Sequence, residues 1–355
     1  MFNTALLRTA REAMGLTQTE LAQRSGLPQS DLSRWERGLR TPTPEQVDRL
    51  AAAVEIPATL LASDVRVAVP VHRAAKAETK RVERLVNGRL ELARLAGSQI
   101  LQDVDISAPF EFPTPDDPTP PDPEDAADAI RRVWRVPPGP IQDLTAHIES
   151  AGAVVMRVDF GADSILAAYS HVRSDQRWLF INTRATDGAR VRFSLAHELG
   201  HALLHWDRFD APAGKDAERE AHRFAAALLL PRREMQSLFA RSRLTLDELI
   251  HVRQQWKVSI QALVMRAFDL EMISEYQRTR LWKQISTRGW RRVEPGPIDL
   301  EEPTIMRDAV TLHRTQHGYS DEEIAKVAGL PLDRLADLMP DYFLRAGHPT
   351  LRLVD

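Results

Sequence analysis

The chain has 355 residues, of which 43% are hydrophobic and 27% charged, and a formal net charge of -3. That is the balance of an ordinary globular protein of roughly two or three domains, and it excludes binding to nucleic acid or membrane through bulk charge. With no cysteine, disulfides, thiolate metal ligands and a cysteine nucleophile are excluded as well.

The first 16 residues lack the apolar core of a secretory signal, and the strongest apolar run, Phe224 to Leu230, is too short to cross a bilayer. A soluble cytoplasmic protein with no membrane contact is expected. Residues 4–62 alternate short apolar-periodic segments with Gly and Pro, which predicts a compact all-helical domain over 1–62. Within it, Thr17 and Glu20 have the spacing of a capping box, Gly26 ends that helix, and Pro28 opens the next. The second helix, from Gln29 to Gly38, buries Leu32 and Trp35 and turns Gln29, Ser30, Ser33 and Arg34 outward. A polar helix face presented by a short turn fits a DNA major groove, where Gln and Arg can each make two hydrogen bonds to a base edge.

These residues resemble the Xre/Cro repressor family over 4–62. The resemblance implies that Thr17 and Gln18 grip phosphate while Gln29, Ser30, Ser33 and Arg34 read bases of double-stranded operator DNA, with the protein bound as a homodimer. Acidic and basic residues balance over 1–62. Phosphate affinity therefore leans on dimerisation or on the helical stretch at 76–94, which is basic on balance.

That stretch belongs to a basic connecting helix expected over 63–102, with Val82, Leu85, Val86, Leu90 and Leu95 as its apolar positions. Asp103 to Asp128 has no Lys or Arg, and the Pro residues crowd between 109 and 123, so 103–123 is expected to be an extended acidic linker. Beyond it, helices near 126–134 and 141–151 precede strand-like runs at 154–158, 165–169 and 178–181. Long helical patterns follow at 188–206 and 216–230, and helices at 246–256 and 259–270 close a domain expected over 124–272. The rest, 273–355, is expected to be a helical region with a basic run at 278–292 on a solvated face, and a faint second helix-turn-helix pattern at 319–338 carries no weight by itself. The fold class is multidomain α+β: an all-helical reader, a small-sheet domain of zincin type and a helical tail.

The chemistry centres on His197-Glu198-Leu199-Gly200-His201. One helical turn separates the two His, so both can bind one metal ion, and Val191, Leu195, Leu199, Ala202 and Trp206 form the opposite, core-facing stripe. Glu198 lies beside the ligand face, placed as general base for a water at the site. A catalytic zinc site takes three protein ligands. Glu218 is the best third, because Ala221, Phe224, Ala225 and Leu228 give its helix an apolar face to dock; Glu220 and His222 are the rivals. Tyr169, His171 and His205 are unranked candidates for steadying an oxyanion, and Asn182 either holds substrate backbone or forms a turn.

The two helices resemble the ImmA/IrrE metallopeptidases over about 124–272, with His222 where that family has Asn. The resemblance implies Zn2+ as cofactor and a transcriptional regulator whose peptidase domain cuts a repressor-type protein. The other readings are a non-enzymatic repressor whose zinc domain senses a ligand or partner, and an antitoxin-like operator-binding protein.

Overall fold

A computed structural model describes residues 2–68, 79–112, 122–170, 176–205, 214–240 and 244–344. The reader consists of α1 (Thr4–Ala13), α2 (Gln18–Ser25), α3 (Gln29–Glu36), α4 (Pro44–Val54) and α5 (Ala58–Leu61). The Thr17–Glu20 capping box is formed in both directions, and Gly26 sits at φ 65°, a left-handed turn that glycine adopts without a Cβ clash. Pro28 caps α3 from outside its first turn. Leu32 and Trp35 are fully buried, while Gln29, Ser30 and Arg34 are exposed and Ser33 is half-buried.

The stretch expected to connect the two regions contains the long helix α6 (Lys80–Ile100), which is buried over most of its length. Nearly every residue from Val86 to Gly97 is buried, because α6 is packed on more than one side. Its two buried arginines are neutralised internally: Arg94 pairs with Glu91 at 2.8 Å, and Arg89 bonds Asp337 at 2.8 Å and the Asp159 carbonyl at 2.5 Å. Gly88 lets α6 press on α1, since a Cβ there would meet the Ala13 amide and lie 2.7 Å from the Thr9 carbonyl.

Residues 104–112, which belong to no helix or strand, run from one core to the other. Val104 and Ile106 pack with the reader's core, whereas Phe110 and Phe112 pack with the second core. The rest of the expected linker, 113–121, lies outside the described residues.

Next come α7 (Pro123–Val133), α8 (Leu144–Ser150) and a sheet of β1 (Val154–Val158), β2 (Ala167–Ser170) and β3 (Trp178–Asn182) in the order β1-β3-β2. β3 pairs parallel with β1 and antiparallel with β2. All three strands are buried along their whole length. Alternation sends Val154, Met156, Val158, Trp178 and Phe180 into the core shared with the reader, and Val155, Tyr169, Leu179 and Ile181 into the other.

The second core is completed by α9 (Gly188–Leu204), α10 (Lys215–Leu229), α11 (Arg232–Phe239), α12 (Leu246–Trp256), α13 (Ile260–Asp269) and α14 (Glu275–Thr287). The pattern of the sequence did not indicate α11, which Pro231 separates from α10. Along the basic run, Arg278 lies over Phe268, Arg288 over Trp290 and Arg291 over Trp282.

The last three helices, α15 (Ile305–Gln316), α16 (Asp321–Ala328) and α17 (Leu332–Leu338), return to the first core. The pattern at 319–338 is a true helix-turn-helix. Ser320 and Glu323 form a capping box, Gly329 sits at φ 73° and Pro331 caps α17, matching Thr17, Glu20, Gly26 and Pro28 in order. The matching face differs in chemistry: Leu332, Asp333, Ala336 and Asp337 stand where α3 has Gln29, Ser30, Ser33 and Arg34. Ala336 is buried and Asp337 holds Arg89, so this copy braces α6 and has no base-reading face.

Candidate metal centre

The aliphatic stripe of α9 fixes its orientation. Val191, Leu195, Leu199 and Ala202 are buried, which leaves His197, Glu198 and His201 on the side toward α10; Trp206 is outside the described residues. Gly200 sets the distance between the two helices, since a Cβ on it would lie 3.0 Å from the Phe224 ring and 3.1 Å from Ala221 Cα. At this separation Glu218, in the first turn of α10, reaches the histidines.

His197 Nε2 and His201 Nε2 lie 3.2 Å apart. The Glu218 carboxylate places one oxygen 3.5 Å from His197 Nε2 and the other 3.3 Å from His201 Nε2. The three donor atoms all fall within 4.8 Å of one another. Two imidazole nitrogens aimed at each other beside a carboxylate suit a shared cation, which would accept all three lone pairs. Glu198 is 1% exposed and adjoins His197 on the same helix.

Behind the cluster runs a chain of ring contacts. His201 Nδ1 meets His205 Nδ1 at 3.2 Å, and His205 Nε2 meets the Glu220 carboxylate at 2.9 Å. A carboxylate acting through an imidazole is the usual way to hold a ligating histidine in one ring orientation. Glu220 is thus engaged away from the cluster. His222 is exposed, its ring 5.0 Å from Phe193 and 6.4 Å from His197, outside the three-residue group.

The remaining candidates separate. His205 backs His201. Tyr169 is buried, its hydroxyl interacts with Arg177, and burial raises its pKa above the ordinary phenol value. His171 is outside the described residues. Asn182 is fully buried; its amide donates to the Ala162 and Ile165 carbonyls and its oxygen accepts from the Arg184 N–H. These bonds make Asn182 a turn-forming residue.

Charge and burial disfavour the protonated forms of two of the three donors, His197 and Glu218. Burial lowers the His197 pKa, and hydrogen bonds from His197 and His201 hold the Glu218 carboxyl well below the carboxylate range. Both shifts mean that the fold binds fewer protons than the unfolded chain, so stability should rise with pH. In the metal-free protein the loss should begin as pH falls through 6.5, the ordinary His value, and continue below 4.5, that of Glu. Urea midpoints between pH 8 and 4 measure it; a profile identical in the His197→Gln protein would remove His197 as the source of the upper step.

Residues 7–61 match the family model of a helix-turn-helix, and residues 148–268 match that of the IrrE N-terminal-like domain, a metallopeptidase type. The chain joins these two modules. No curated protein matches it. The first match spans α1 to α5 and the second runs from the end of α8 into α13, so α6 and α15 to α17 lie outside both. No described helix is long and apolar enough to cross a membrane.

Proposed function

We propose that the protein is a transcriptional regulator that binds operator DNA through α3, as a homodimer, and carries a zinc-dependent endopeptidase acting on a repressor-type regulatory protein. The observation that carries the enzymatic half is the convergence of His197, His201 and Glu218 on one point, with buried Glu198 beside them. Zinc held there would supply Lewis acidity toward a peptide carbonyl and make water a nucleophile at neutral pH. Glu198 would take the proton of the attacking water on its carboxylate and hand it to the leaving amine. His205 and Glu220 would keep the His201 ring in place. On the DNA side, the exposed amide of Gln29 and guanidinium of Arg34 would read base edges, and Gln18, which accepts from Gln29 at 3.0 Å, would orient the first of them.

The Glu198→Gln protein tests this. It should keep its metal, its fold and its DNA binding, and lose cleavage of the regulatory protein by at least ~100-fold, the usual effect of removing a general base. Target-gene induction read beside an immunoblot of the uncut partner decides the matter. Normal induction with no cleavage in wild type or variant points to the second reading, a metal-site sensor without turnover, which the sheet shared between the two cores favours.

A further inference from the structure

The reader is poorly equipped to hold a polyanion. Residues 1–62 contain seven Arg and no Lys against seven Asp and Glu. Most of those arginines are already engaged: Arg11 with Glu36 at 2.6 Å, Arg24 with Glu55, Arg34 and Arg40 with Asp31 at 3.5 and 3.4 Å, and Arg49 with the carbonyls of Ser25 and Gly26. Duplex binding draws its sequence-independent strength from cations on phosphates, so a further source is needed.

The start of α6 provides one. The buried stretch begins at Val86, whereas Lys80, Arg81 and Arg84, in the two turns before it, are exposed. Among the described residues Arg81 pairs only with Glu20, at 3.5 Å, and Arg84, which feels Glu12 at long range, has no ion-pair partner. Between these turns and the reader lies a crevice of about 840 Å³. Gln18, Gln29 and Ser33 line it on one side and Arg81, Arg84 and Asn87 on the other, and the Asn87 side-chain oxygen is buried with no hydrogen-bond partner. The groove-reading residues thus border the same space as two exposed guanidinium groups, Arg84 without an ion pair among the described residues and Arg81 with a single solvent-exposed one to Glu20.

We propose that the first two turns of α6 form a second DNA-backbone surface, in which Arg81 and Arg84 bind phosphates flanking the groove that α3 reads. The assignment rests on the DNA-binding reading above and adds to it a site outside the helix-turn-helix stretch at 7–61. It also changes what DNA binding involves. Because α6 presses on α1 at Gly88 and on the Trp178 and Met306 side chains at Gly97, the helix that grips phosphate at one end is fixed to the sheet at the other.

The full-length protein and a random-sequence 30-base-pair duplex suffice as a test, with affinity followed over a salt series. Arg81→Ala/Arg84→Ala should weaken binding roughly tenfold and flatten the slope of log K against log salt by about 1.8, about 0.9 for each phosphate left without its guanidinium. Arg81→Lys/Arg84→Lys should restore the slope, showing that the Ala protein is folded and has lost charge alone. Removing Arg280 and Lys283 on α14 instead should leave the slope as in wild type. An unchanged slope in the Ala double variant, with wild type binding normally, overturns the assignment to α6. Pyrophosphate binding that disappears in that variant while the duplex slope stays unchanged would overturn it too, making the crevice a small-anion site. A wild-type protein that binds no duplex at low salt instead overturns the DNA-binding reading beneath it.

Discussion

His201→Ala should leave the protein without zinc, where wild type retains about one ion per chain. The change deletes one of three donors that all lie within 4.8 Å of one another, and two remaining donors do not make a tight site. It also severs the chain through His205 to Glu220. Glu218→Ala should do the same, since its carboxylate is the one facing both Nε2 atoms. Glu220→Ala should be milder, lowering affinity about 10–100-fold as the loss of a carboxylate behind a ligating histidine does. Metal analysis after gel filtration, followed by competition with a chromogenic chelator, separates the three. Full zinc in His201→Ala would move the site elsewhere, and zinc lost in Glu220→Ala yet kept in Glu218→Ala would mean that the wrong face of α10 has been assigned.

The largest stability effect should come from a residue far from the metal. Glu294→Ala is expected to cost about 3–5 kcal/mol, as removal of one partner of a buried ion pair does. The Arg253 and Glu294 side chains are 2% and 1% exposed and meet at 2.9 Å. The same carboxylate accepts from the Ile260 N–H at 2.7 Å and the Gln261 N–H at 3.3 Å, the first amides of α13, which have no partner within their own helix. Arg253 also donates to the Gly296 carbonyl. Alanine therefore strands a buried guanidinium and two amides at once. Denaturant midpoints at constant m-value give the number. Arg253→Met/Glu294→Ala should recover part of the loss, because no charge is then left unpaired. A loss below about 1 kcal/mol in the single variant would show that water replaces the carboxylate, contrary to its burial.

What could be read from the sequence was local in origin. The reader announced itself through Thr17, Glu20, Gly26 and Pro28, whose capping and turn preferences act over four or five residues. The stripe of α9 and the apolar face of α10 were equally visible, because a 3.6-residue period needs no knowledge of the partner. β1 and β3 were legible as apolar runs, although a run buried on both faces does not say which side meets which core. The misread features depend on distant residues. Arg89 counted toward the positive balance of the connecting helix because its partner, Asp337, is 248 residues away. Nothing in the sequence around Glu294 marks it as special, and only the packing of α12 against α13 reveals it as a buried brace. Of the two roles open to Asn182, the turn before α9 is the one its hydrogen bonds show, and the carbonyls that reveal it lie 17 and 20 residues away. The link from His205 to Glu220 crosses between two helices whose register is set by Gly200, information that no single-helix pattern carries.

The sheet that gives Phe180 to one core and Leu179 to the other has no side left for solvent. This places the borders of the folding units away from the borders of the two recognised modules. A piece cut at residue 62 would take the reader away from the helix on which α1 is seated, and a piece begun at residue 124 would lay bare the half of each strand that α6 and α15 to α17 cover. Evolution could have joined a reader and a peptidase by a tether and left each with its own skin. In this chain the two modules are joined through α6, seated on α1 at Gly88 and against Trp178 of the sheet at Gly97, so neither has a surface wholly its own.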